Sequence, residues 1–203
     1  MTVALEQGGE LRRHLRDVTH EAHVRLNRHP LLAGLTRPGY PQSEYLAVLV
    51  AYYHVYRALE SRIQGWLSAS GGDFDYSARE KWPWLVADLA WFGKVPELRR
   101  PPALAILPEV ASDADLVGVL YTLEGSTLGG QVISTHLAQH RGLSATQGAR
   151  FFAGYGARTA AMWQQFWDWA GARCDDAPHR DSAGRAAIAT FAYLEHWLDH
   201  YAV

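Results

Sequence analysis

The residues best suited to chemistry are histidines and glycines. His23 closes the stretch LeuArgAspValThrHisGluAlaHis, Leu15 to His23, with Thr19, His20 and Arg16 one and two turns before it on a broad helical face. An imidazole in that setting suits cofactor ligation, and its basic neighbours suit an anionic group; the plainer alternative is a hydrogen-bonded core histidine. His20, Glu21 and His23 also resemble part of the zinc-protease pattern HExxH, but the spacing is wrong, because position 24 is Val24. The chain has no ExxH pair of the di-iron bundle type either. Cys174 is the sole cysteine, so neither a disulfide nor a cysteine-built metal cage forms within one chain. A metal held by protein side chains alone is not expected.

The second signal is LeuGluGlySerThrLeuGlyGlyGlnVal, Leu123 to Val132, where Gly125, Gly129 and Gly130 interrupt an otherwise good helix. Each glycine costs a helix about 1 kcal/mol relative to alanine. Lacking Cβ atoms, Gly125 and Gly129 allow a kink and let backbone approach a flat ligand closely. Close helix–helix packing through small residues is the competing explanation, and spacing alone does not separate the two.

Positioning these groups requires long helices. Leu11, Leu15, Val18, Ala22 and Leu26 recur at helical spacing over Glu10 to Asn27. Ser43 reads as the cap of a helix reaching about Leu67, with Tyr45, Leu49, Tyr52, Tyr56, Leu59 and Ile63 on its buried stripe. A helix from about Ser77 to Phe92 needs Pro83 in its first turns. The spacing further predicts helices over Asp113 to Gln139, with an irregular middle, over Ala145 to Arg173, and over Ser182 to Tyr201. No strand pattern or repeat interrupts the series, so the fold class is all-α, a bundle.

With 203 residues, 48% of them hydrophobic, the chain suits one compact domain spanning 1–203. A net charge of −2 gives no basic field for nucleic acid. The longest apolar run, around Tyr45 to Tyr53, is too short for a membrane span. Glu6 and two glycines stand where a secretory signal needs an apolar stretch, so a cytoplasmic location is expected.

Three segments in register resemble one family. Leu15 to His23 looks like the proximal-helix motif of haem oxygenases; TyrTyrHisValTyrArgAlaLeuGlu, Tyr52 to Glu60, is similar to their second-helix signature; Gly125 to Gln131 matches their glycine-rich distal helix. GluGlySerThrLeuGlyGlyGln is most similar to bacterial members associated with bacteriophytochromes. The resemblance implies a single-domain bundle with haem between the first helix and a glycine-kinked distal helix. It implies an enzyme, a biliverdin-producing oxidoreductase that cleaves haem at a meso carbon to biliverdin, CO and ferrous iron, with O2 as co-substrate and haem b as both substrate and cofactor.

By the same resemblance His23 is the iron ligand. Gly125, Gly129 and Gly130 belong to the helix over the O2 side, with Gly125, Ser126 and Gly129 in its catalytic part. Arg16, His20, Tyr155 and Arg158 fall at positions that face the haem propionates, where a guanidinium pairs well with a carboxylate. Two departures stand out: Ser126 replaces the distal aspartate of animal enzymes, and Asn27 replaces an acidic residue near the ligand. Electrons must come from an external ferredoxin or reductase, since the chain has neither a cysteine set for an iron–sulfur cluster nor a dinucleotide fingerprint. The family type suggests a phytochrome as recipient of the product. The alternative is a non-catalytic haem carrier or sensor on the same fold, to which Ser126 lends weight.

Overall fold

The computed structural model describes residues 2–97 and 99–202. Among them are α-helices and 3-10 turns with isolated bridges at Ser144, and no strand. Helix α1 (Thr2–Arg28) buries Leu11, Leu15, Ala22 and Leu26, as its spacing implies. Val18 departs from the expected stripe at 37% exposed. Thr19 takes the inward position instead, its hydroxyl donating to the Leu15 carbonyl at 2.6 Å.

A short α2 (Pro30–Ala33) follows, with the His29 ring accepting from the Leu31 amide. Helix α3 (Gln42–Ser70) buries all six residues of its expected stripe. Its cap is Pro41, not Ser43, which lies inside the first turn, and left-handed Gly71 closes it. A 3-10 turn over Ser77–Arg79 precedes α4 (Trp82–Trp91), so Pro83 falls where a missing N–H costs nothing.

Helix α5 (Asp113–Arg141) runs unbroken through its glycines, and the expected irregular middle is absent. Ser112 caps its start, and the Ser126 and Thr127 hydroxyls donate back to the Leu123 and Glu124 carbonyls. The continuous helix expected over Ala145 to Arg173 is instead α6 (Arg150–Ala153), a 3-10 turn (Gly156–Arg158) and α7 (Thr159–Gly171). Gly148, Gly154 and Gly156, at φ of 80°, 55° and 58°, adopt backbone that a helix excludes. Helix α8 (Ala177–Tyr201) starts earlier than expected because the Asp176 carboxylate accepts from the His179 amide.

Helix α8 is the centre of the packing, lying along α5 and against α1 and α3. At Gly118 a Cβ would run into the Ala183 carbonyl oxygen, so this glycine sets how closely α5 and α8 approach. Asp88 on α4 accepts from the Arg150 amide at 2.7 Å and the Phe151 amide at 2.8 Å, fixing the start of α6. Cys174 is buried and its thiol is pushed up to about 12, which makes it a poor nucleophile. Among the described residues no helix is long and apolar enough to cross a membrane.

Candidate functional site

Helices α1 and α5 face each other across a cleft of about 730 Å³, within the usual range for small-molecule and cofactor pockets. Tyr52 and Tyr56 of α3, Phe151 and Phe152 of α6, and Phe191 of α8 line its depths. Among the described residues no Asp or Glu lines it. The cavity therefore offers a flat apolar body a place to lie, with polar groups confined to a few positions.

On the α1 wall, His23, His20 and Arg16 line the cleft together, as their helical spacing requires. The His23 ring packs edge-on against Phe191, with centroids 5.9 Å apart and planes at 78°. Asn27, one turn on, brings its amide nitrogen to 3.3 Å from Nε2 and 3.5 Å from Nδ1. Partial burial, and then the charge of His20, lower the His23 pKa below its usual value. Both effects favour the neutral imidazole that a metal ligand must be. Arg16 is exposed at the mouth and among the described residues pairs only with its neighbour Asp17, at 3.2 Å.

On the α5 wall the glycines divide by role. A Cβ at Gly129 would meet nothing within 4 Å, and one at Gly125 would meet only the Trp163 ring at 3.6 Å. Neither is a packing glycine. Gly130 is one, because its Cβ would lie 2.9 Å from the Phe152 carbonyl oxygen of α6. It borders the cleft, and its absent side chain serves the α5–α6 contact. Ser126 turns its hydroxyl to Tyr56, 2.8 Å away, while donating to the Leu123 carbonyl at 2.8 Å. Tyr56 is therefore the donor of that pair, and burial holds its phenol far above its ordinary pKa.

Two expected contacts lie elsewhere. Tyr155 is buried, and its hydroxyl donates to both carboxylate oxygens of Glu124 at 2.8 and 3.1 Å. Arg158 is exposed on the 3-10 turn and does not line the cleft. The break before α7 explains both displacements, since a continuous helix would have turned these residues differently.

Tyr155 belongs to a charged cluster behind α5 that periodicity does not reveal. Glu124 pairs with Arg79 at 2.5 Å and Lys81 at 2.6 Å, all three buried. Arg79 also donates to the Met162 carbonyl at 3.1 Å. Glu60, pushed up to about 7 by burial, accepts from Tyr76, the Lys81 amide and the Trp82 amide. The available signal was Glu124, a charged residue at a position whose neighbours Leu123 and Thr127 face the core. Away from the cleft, Asp175, Asp176 and His179 are grouped within 4.8 Å but fully at the surface, where Asp176 already caps α8.

The cleft thus lies between a histidine-bearing first helix and a glycine-bearing fifth helix of an all-α bundle. The sequence model described as "Heme oxygenase" matches residues 99–200. A protein named "Heme oxygenase" from Xanthomonas campestris pv. campestris (strain 8004) is 30% identical over 152 residues, covering 74% of this chain and 86% of the relative. The crystal structure of the NO- and CO-bound heme oxygenase from Neisseria meningitidis superposes with a TM-score of 0.76 at 20% identity, covering 94% of this chain and 91% of that one. The heme oxygenase from Leptospira interrogans gives 0.71 at 17% identity, over 94% of this chain and 98% of its own. The solved structures establish the shared fold, and the chain belongs to the haem oxygenase family.

The residues present fit a haem. A neutral imidazole stands on one wall, and the opposite wall has space where Gly129 and Gly125 lack side chains. The mouth carries Arg16 and His20, suited to carboxylates.

Proposed function

We propose that the protein binds haem b through His23 and cleaves it at a meso carbon, with O2 and externally supplied electrons, to biliverdin, CO and ferrous iron. The observation that carries this reading is that His23 and the two side-chain-free positions Gly125 and Gly129 line the same 730 Å³ cleft from opposite walls. When bound, the haem supplies the iron that activates O2 and is itself the carbon skeleton oxidised.

The chain's own contributions follow from its geometry. Phe191 fixes the plane of the His23 ring, and the ring's lowered pKa lets a nitrogen be presented without first losing a proton. Arg16 and His20 would hold the carboxylates of a bound haem at the mouth, and Gly125 and Gly129 would let the α5 backbone come close to its ring. Protons near that face sit on Tyr56 Oη and Ser126 Oγ. Because Tyr56 donates to Ser126 and Ser126 donates to Leu123, the serine oxygen keeps a lone pair with which to accept from an ordered water. The hydroxyl pair can thus position water where animal enzymes use a carboxylate.

The test is an absorbance titration with haemin, followed by ascorbate or a ferredoxin–reductase system in air. A one-to-one complex that decays to a biliverdin band supports the enzyme. Stable bound haem, under a donor that drives a known haem oxygenase, would replace it with the carrier reading. Lack of haem uptake would overturn both.

A further inference from the structure

A second cleft, of about 760 Å³, lies on the other side of α3 and α8, under the connection that carries Arg99, Pro101 and Leu107. The two cavities share these helices but use different faces. Tyr52 and Tyr56 of α3 face the first, whereas His54 and Arg57 face the second. On α8, Phe191 and Leu194 border the first, and Tyr193 and Trp197 the second.

The second cleft carries more guanidiniums than the first, three against one. Arg57, Arg62 and Arg99 line it, and among the described residues no Asp or Glu does. Among the described residues none of these arginines has a carboxylate within 4.0 Å, although Arg25, Arg79, Arg173 and Arg180 all do. Three guanidiniums along one cleft give it a local positive field in a chain of net charge −2. Arg57 rests at 4.6 Å over the ring of Trp82, a residue outside the cleft lining, and its exposed side chain reaches the cleft edge from there.

The floor is unusual as well. His54 is 4% exposed and lies flat on Trp197, with ring centroids 4.4 Å apart and planes at 9°. Its Nε2 is buried without a hydrogen-bond partner, a state that folded proteins generally avoid. Trp66, Leu107 and Val110 supply apolar wall. A cavity of this size, apolar in body and ringed by guanidiniums, matches a molecule with a flat hydrocarbon part and a charged end. An inorganic ion alone would leave most of it unfilled.

We infer that the cleft between α3, α8 and the Arg99–Val110 connection is a second ligand site, specific for a small aromatic organic anion such as a carboxylate or phosphate ester. The guanidiniums of Arg57, Arg62 and Arg99 hold the anionic end, and the His54–Trp197 stack supports the ring.

The experiment is isothermal titration calorimetry on haem-loaded protein, with the Soret band read first to establish that the α1–α5 cleft is filled. The probes are 1-naphthyl phosphate, inorganic phosphate and the neutral 1-naphthol. The expected result is one saturable site for naphthyl phosphate, at least tenfold tighter than for either of the other two, and weakened at least tenfold by Arg99→Gln and by Arg57→Gln with Arg62→Gln. These positions lie outside the haem cleft, so the variants should load haem normally, which reports that they are folded. If haem does not load, the same titration on the free protein still discriminates, because only binding at the second cleft depends on Arg99. Lack of saturable binding, equal affinity for inorganic phosphate, equal affinity for 1-naphthol, or indifference to the arginine substitutions would each overturn the assignment.

Discussion

The glycines of α5 make a sharp expectation because neighbours on one helix should respond to the same substitution with opposite signs. Alanine at Gly129 places its methyl where nothing lies within 4 Å, so the change should register only the helix propensity gain of about 1 kcal/mol. For a chain of this length that raises Tm by about 2–4 °C. At Gly118 the methyl collides with the Ala183 carbonyl and the Ala186 side chain, both on the facing helix. Separating two packed helices typically costs about 1–3 kcal/mol, enough to outweigh the propensity gain and lower Tm. Gly130→Ala, blocked 2.9 Å away by the Phe152 backbone, should also lose stability. Thermal unfolding of the haem-free variants by circular dichroism provides the ranking, and haemin titration of Gly129→Leu provides the functional half. That larger side chain should weaken haem binding or slow turnover at least tenfold without destabilising the fold. A fall in Tm for Gly129→Ala, or full activity in Gly129→Leu, would refute the division of the glycines into ligand-facing and packing sets.

Other expectations follow from the buried charges and the ligand. Glu124→Gln leaves Arg79 and Lys81 buried beside a neutral amide and should cost about 3–5 kcal/mol; urea unfolding measures it, and a loss below about 1 kcal/mol would argue against the cluster. Glu60 is held at about 7 against an ordinary 4.5, so the folded state keeps its proton more firmly than the unfolded chain does. Its contribution to stability is full below the unfolded value and is lost as pH rises through about 7. The stability difference between Glu60→Gln and the parent should therefore move in the variant's favour between pH 5 and pH 8, and a difference independent of pH would contradict this. His23→Ala should abolish the native axial spectrum and cut turnover about 100-fold or more; an unchanged Soret band would exclude His23 as ligand.

The long helices were legible because their apolar residues recur on one face with caps or breakers nearby. The stripe Tyr45, Leu49, Tyr52, Tyr56, Leu59 and Ile63 is buried throughout. Left-handed glycines were harder to read: Gly148, Gly154 and Gly156 break what apolar content alone presents as one helix. With the helix broken there, Tyr155 and Arg158 do not line the cleft. The α1 wall was legible because three to four residues is one turn, and Arg16, His20 and His23 come together by local geometry. Glu60, Arg79, Lys81 and Glu124 meet only through tertiary packing, and no local spacing encodes that meeting. The separation of Gly129 from Gly130 likewise depends on which surface faces each, which the sequence leaves open.

The buried charge cluster has a mechanical corollary. It rivets α5 to the turn before α4 and to α7 through groups that must break several strong contacts together before the helix can shift. The first helix is fastened differently, by water-accessible pairs such as Arg25 with Glu195 and Arg12 with Gln164, which exchange partners at little cost. The polar fastenings of the α5 wall are thus the stiffer ones, and on the proposed function the softer polar edge of the cleft is the one that carries His23.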